Sequence, residues 1–88
     1  MRKFIVEFKG EPLAGLPAGV LPEPVLWASR GAFSKVRAEA VPNDVPGHWR
    51  AEFDLTVNGS EPVEMRCYLR SGENILTETW LYQYHPSF

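Results

Sequence analysis

The stretch His48-Trp49-Arg50-Ala51-Glu52-Phe53-Asp54-Leu55-Thr56-Val57 alternates without a break. Trp49, Ala51, Phe53, Leu55 and Val57 fall on one face, and Arg50, Glu52, Asp54 and Thr56 on the other. A period of two is the pleat of a β-strand with one dry and one wet face, as antiparallel sheets have. The pattern recurs in both directions from this stretch. Val63, Met65, Cys67 and Leu69 alternate with Glu64, Arg66, Tyr68 and Arg70, and Phe4, Val6 and Phe8 share one face of residues 3–8. Residues 25–29, 34–41 and 76–84 carry weaker strand patterns, and no window keeps helical spacing beyond a turn or two. The predicted fold is an all-β antiparallel sandwich of six to seven strands, with residues 1–88 forming one domain.

Composition bounds the rest. A chain of 88 residues makes one domain and buries only about 60–65% of its unfolded surface. Its core material is ample, with 44% apolar residues including three Trp and five Phe. A net charge of −2 gives no basic field for a phosphate backbone, which excludes nucleic acid as a partner. No apolar run approaches the roughly 18–20 residues that span a bilayer, so the chain is not expected to be membrane-spanning. No signal peptide opens it, and Met1 directly precedes strand residues, which reads as a start placed on an excised fragment. Cys67 stands alone, so no internal disulfide forms, and it reads as a small buried hydrophobe. Cys67, His48 and His85 do not fall at metal-ligand spacing, and neither a metal nor a cofactor is expected.

Turn chemistry makes finer predictions. Residues 10–24 contain Pro12, Pro17, Pro22 and Pro24, which rules out a central strand or a long helix. They read as a connection whose apolar turn, around Leu13 and Leu16, plugs one end of the sandwich. If residues 48–57 and 63–70 pair in one sheet, a two-residue Asn58-Gly59 loop sets Phe53 against Glu64. A three-residue loop, Asn58-Gly59-Ser60, sets Phe53 against Met65 instead and is preferred. An even loop around Ser71-Gly72-Glu73-Asn74 sets Leu69 opposite Leu76, Met65 opposite Trp80 and Val63 opposite Tyr82. Leu76, Trp80 and Tyr82 then join a core seam of Trp49, Phe53 and Met65, while Glu78 points inward opposite Cys67. An odd loop buries Ile75, Thr77, Thr79 and Leu81, which carry less apolar area.

The residues capable of chemistry are few. Glu78 is the only ionisable side chain this register buries, and it has no second carboxylate placed against it. It is therefore expected to be a structural buried carboxylate held by hydrogen bonds or a cation, not a general acid. His48 and His85 have no neighbouring nucleophile pattern, and no glycine loop is built to cradle phosphate. No catalytic residue is assigned. The aromatics Tyr68, Trp27 and Tyr84 are candidate sugar-contact residues, because pyranose rings stack on exposed rings. Residues 3–8 are a candidate edge strand for pairing with another chain.

The run Gly47-His48-Trp49-Arg50-Ala51-Glu52-Phe53-Asp54-Leu55 resembles a segment near the end of the periplasmic glucans biosynthesis protein G and D family. Pro62-Val63-Glu64-Met65-Arg66-Cys67-Tyr68-Leu69-Arg70 and Leu76-Thr77-Glu78-Thr79-Trp80-Leu81-Tyr82-Gln83-Tyr84 follow in the same order and at similar spacing. Upstream, Arg2-Lys3-Phe4-Ile5-Val6-Glu7-Phe8, Pro12-Leu13 and Ala28-Ser29-Arg30-Gly31 look like that family too. The Glu78-Thr79-Trp80-Leu81-Tyr82-Gln83 run is the most specific part. The resemblance covers nearly the whole chain, and it implies an immunoglobulin-like (E-set type) sandwich at the C-terminus of a larger periplasmic protein. That protein's family takes part in making osmoregulated periplasmic glucans with β-1,2-linked backbones. It further implies that the main partner is a large N-terminal β-sandwich domain of the same parent chain, with β-glucan as a second candidate. Some members hydrolyse β-1,2-glucan, but their catalytic cleft belongs to that large domain, so this segment is expected to be no enzyme. The expected function is a non-catalytic accessory domain packing on the glucan-handling domain. The alternative is a carbohydrate-binding module that contacts glucan through surface aromatics.

Overall fold

The computed structural model describes residues 1–42 and 45–86. Seven strands and one helical turn follow the chain: β1 (Arg2–Lys9), α1 (Glu11–Ala14), β2 (Glu23–Ala28), β3 (Ala32–Ala40), β4 (His48–Thr56), β5 (Val63–Ser71), β6 (Asn74–Ile75) and β7 (Trp80–Tyr84). They form two antiparallel sheets. One has the order β1-β4-β3; in the other, β5 is central with β2 on one side and β6 and β7 on the other.

The alternating strands supply the two inner faces. Phe53, Leu55 and Ala51 of β4 and Val63, Met65, Cys67 and Leu69 of β5 are all buried, joined by Val6 and Phe8 of β1. Register explains the match on the first sheet, where Phe4 pairs with Phe53, Val6 with Ala51 and Phe8 with Trp49. Phe53 is the hub. Its ring meets Phe4 at 5.5 Å, Phe33 at 5.4 Å and Trp80 at 6.5 Å between centroids. Trp49 and Trp80 are half-buried and pack against the same cluster, so the predicted seam of Trp49, Phe53, Met65 and Trp80 is present. The helical turn begins at Glu11-Pro12, where proline is tolerated because the first amides lack helical acceptors, and it buries Leu13 as the end plug.

Two expectations need correction. The strands β4 and β5 are centres of different sheets, so residues 57–62 form a crossover between layers and no hairpin closes at Asn58-Gly59-Ser60. Their apolar rows agree because they face each other across the core, not because they pair. The crossover is tied down by Arg30, whose guanidinium donates to the carbonyls of Asn58 and Glu61. Ser29 donates its amide to Glu64 O at 2.9 Å and accepts from Glu64 N at 3.0 Å. Gly31 follows at φ +93°, and a Cβ there would lie 2.8 Å from Thr56 O, so the turn requires glycine.

The second correction concerns Glu78. The even loop is observed, with Arg70 opposite Ile75 and Ser71 opposite Asn74. Beyond it the ladder slips by two residues, so Cys67 faces Trp80 and Met65 faces Tyr82. The slip is made at residues 76–79, where the Thr77 hydroxyl accepts from Leu69 N at 3.0 Å and donates to Glu78 O at 2.8 Å. A side chain thus replaces a rung of the ladder. Parity survives, so Trp80 and Tyr82 keep the predicted side, but Glu78 lies outside the ladder and is exposed. Tyr82 also departs from expectation: it points to the core side yet stays 46% exposed at the margin.

Each strand connection matches the immunoglobulin order, with β1-β4-β3 in the places of strands B, E and D and β2-β5-β7 in those of C, F and G. Two substitutions grade this architecture. Phe53→Ala is expected to cost about 3–5 kcal/mol, as deletion of a fully packed aromatic does. Gly31→Ala is expected to cost about 1–3 kcal/mol from the strained φ, and more from the contact of the new Cβ with Thr56 O. Urea unfolding of both variants against the parent protein measures these losses, and near-neutrality of Phe53→Ala contradicts its place as hub.

Candidate functional site

The two outer faces of the sandwich differ in chemistry. On the β1-β4-β3 sheet the wet side of β4 is a ladder of charges. Arg37 reaches Glu52 with its Nε at 2.7 Å and a terminal nitrogen at 2.6 Å. Arg50 bonds Glu39 through Nε at 2.7 Å and lies 3.4 Å from Glu52. His48 Nε2 meets Glu7 at 2.8 Å, and Lys3 stands 4.0 Å from Asp54. Glu52 and Asp54 are therefore the buried carboxylates of the described residues, on the face that strand parity marks as wet. Long neighbouring side chains, not the core, cover them. The Arg50 hydrogen bond holds the Glu39 carboxyl below its usual range, and the Glu52 hydrogen bond holds the Arg37 guanidinium above its own.

The outer face of the β2-β5-β7 sheet is open and apolar. Register sets Trp27 of β2, Arg66 of β5 and Leu81 of β7 in one row, with Val25 beside Tyr68 in the next. Trp27 is 47% exposed and Leu81 68%. The Arg66 guanidinium carbon lies 4.8 Å from the centroid of the Trp27 ring, a cation–π contact that holds both side chains against the sheet. Together with Thr79 these residues line an open trough of about 480 Å³. The wet positions of β5 are polar as its alternation requires. The apolar lining comes from the flanking strands, through Val25, Trp27 and Leu81.

The sequence candidates divide accordingly. Trp27 and Tyr68 share the trough. Tyr84 lies on the opposite side of its sheet, with its ring edge-on to Phe4 at 5.3 Å, and is half-buried. Leu81 and Val25 complete the trough but were not singled out from the sequence. The even-loop register turns Leu81 outward, and that was the available signal. Among the described residues, no group of three or more His, Cys, Asp or Glu side chains is placed to hold a metal ion. No helix there is long and apolar enough to cross a membrane. His85 bonds Gln83 at 2.9 Å on the surface. Cys67 is fully buried, and burial pushes its thiol up to about 12.

Fold and faces together define a small immunoglobulin-like β-sandwich module. The family model described as "Periplasmic glucan biosynthesis protein, MdoG" matches residues 1–84, and the chain belongs to that family. It is 67% identical over 86 residues to glucans biosynthesis protein D 2 of Ralstonia nicotianae. It is 40% identical over 87 residues to glucans biosynthesis protein D of Pseudomonas syringae pv. syringae, and 43% over 86 to that of Stenotrophomonas maltophilia. These matches take in 98%, 97% and 96% of this chain but only 16% of each relative, so the chain corresponds to one module of much longer proteins.

The Cys67 thiol should resist a disulfide reagent at pH 8 in the native protein and react stoichiometrically in urea. Fast native labelling contradicts its burial. For Glu39 the sign follows from linkage: a folded-state carboxyl held low contributes stability above the unfolded value of about 4.3 and loses it as pH falls through the folded value. The stability difference between the protein and Glu39→Gln should thus be present at pH 6 and close on acidification below that value. Urea unfolding across a pH series measures it.

Proposed function

We propose that this module is a non-catalytic accessory domain of a periplasmic glucan biosynthesis protein, docking on the rest of that protein through the trough of Val25, Trp27, Tyr68 and Leu81. One observation carries the reading: an apolar face stands where an antiparallel sheet with one packed side is ordinarily polar. Interfaces between domains of one chain are of this kind, with an apolar centre and a polar rim. Here Thr79 and the Arg70–Glu23 pair at 2.9 Å border the face, while Arg66 lies within it between Trp27 and Leu81. Membership of the periplasmic glucan biosynthesis family supports the periplasmic setting and the link to glucan.

A second reading has its own support. Trp27 and Tyr68 come together beside a guanidinium, and an aromatic ring next to a hydrogen-bond donor suits a pyranose as well as a protein side chain. The predominance of aliphatic and aromatic carbon over polar groups favours protein docking, since a sugar needs several hydrogen-bond partners.

Titration of β-1,2-glucan into the 88-residue protein, followed by amide and indole NMR shifts, separates the two. Docking predicts no saturable shift at Trp27 or Tyr68, and binding in trans to the remaining polypeptide of the Ralstonia nicotianae relative that weakens at least about tenfold in Trp27→Ser and Leu81→Ser. Saturable shifts confined to the trough, with no binding to that polypeptide, overturn docking in favour of glucan recognition.

A further inference from the structure

The sandwich closes unevenly. On one side β2 and β3 meet, joined by the short Ser29–Arg30–Gly31 turn. On the other side, β1 and β7 are the terminal strands of their sheets, and the gap between them is lined by rings. Phe4 lies 5.3 Å from Tyr84 and 6.1 Å from Tyr82, and Trp80 stacks on Tyr82 at 5.4 Å. Beside them Arg2, Phe4, Tyr82, Tyr84 and His85 surround a hollow of about 270 Å³. At this margin the core-facing rings stay partly open to solvent, with Phe4, Trp80 and Tyr84 half-buried and Tyr82 exposed.

The edges themselves tell the same story. Exposed strand edges pair with other chains unless blunted by bulges, prolines or shortness. The edge strand β3 is broken by a register shift between Ser34 and Arg37, with Lys35 at φ 52°. In the other sheet the edge strand β2 carries Pro24, and β7 is only 5 residues long. By contrast β1 runs 8 residues in unbroken register with β4 and has neither bulge nor proline. Every second residue of such a strand turns its N–H and C=O away from its partner. Among the described residues, no further backbone hydrogen bond to another segment serves residues 2–8.

We propose that the polypeptide immediately preceding β1 in the full-length proteins folds back as an eighth strand, antiparallel to β1 on its free edge, and covers the Phe4–Tyr82–Tyr84 seam. The immunoglobulin order names the same strand independently: B, E, D, C, F and G are all occupied, and only strand A is without a counterpart. Strand A precedes B in the chain and lies on B's outer edge, here the free edge of β1. The chain supplies 16% of the length of its relatives, so polypeptide for such a strand exists in them. This inference concerns β1 and the seam and holds whatever binds the trough on the far sheet face.

Amide hydrogen exchange tests it. In the 88-residue protein every second amide of β1 should exchange as an unprotected edge, while the alternate ones are held by β4. In the full-length Ralstonia nicotianae relative the whole corresponding peptide should be slowed, the edge amides by about 100-fold or more. Replacing the ~15 residues before the matched segment of that relative, one strand and its turn, by a Gly/Ser linker of equal length should restore fast exchange. Free edge amides in the full-length relative, or protection that survives the linker, overturn the proposal. So does protection of β1 in the 88-residue protein that rises with concentration and accompanies a dimer in sedimentation, since the edge would then serve a second copy.

Discussion

The structure depends on one packing relation: the dry row of β4 lies across the core from the dry row of β5, with Phe53 between them. Phe53 has no exposed surface, and three rings from three different strands converge on it. Each sheet is assembled around one of these two central strands. The strands β1 and β3 pair with β4, and β2, β6 and β7 pair with β5, so the flanking strands inherit their inward residues from registers with a fully buried centre. Loss of burial at the centre would remove the reason for the alternation everywhere else.

Once the centre is fixed, the outer faces are free to differ. The wet side of β4 is flanked by cations and anions, and a charged ladder results. The wet side of β5 is flanked by Val25, Trp27 and Leu81, and an apolar trough results. The difference arises at the edges of the sheets, where side chains are not needed for folding and remain available for a partner. That division gives a single small core two outer surfaces of unlike chemistry, one a charged ladder and one an apolar trough. The seam between β1 and β7 is a third, and it belongs to the completion of the fold itself.

Much of this was legible in the chain. Alternation identified six strands, the central apolar rows and the plug at Leu13, because the pleat period is a local property of consecutive residues. The trough was half legible, since Trp27 and Tyr68 could be marked as exposed aromatics, but nothing local says that Trp27 stands beside Arg66 and Leu81. Tyr84 was grouped with them although the parity that turns Trp80 and Tyr82 to the core side turns it there too.

What the sequence by itself determined is the inward or outward sense of each residue within its strand, and with it the composition of the core. Membership of a sheet was decided only in three dimensions. Two apolar rows in consecutive strands are satisfied equally by pairing side by side or by facing across a core, so β4 and β5 could not be told apart from a hairpin. The exposure of Glu78 was decided the same way. A single Thr77 hydroxyl takes the place of a ladder rung, a slip of two residues preserves the parity that the sequence encodes, and only the folded ladder distinguishes the two registers.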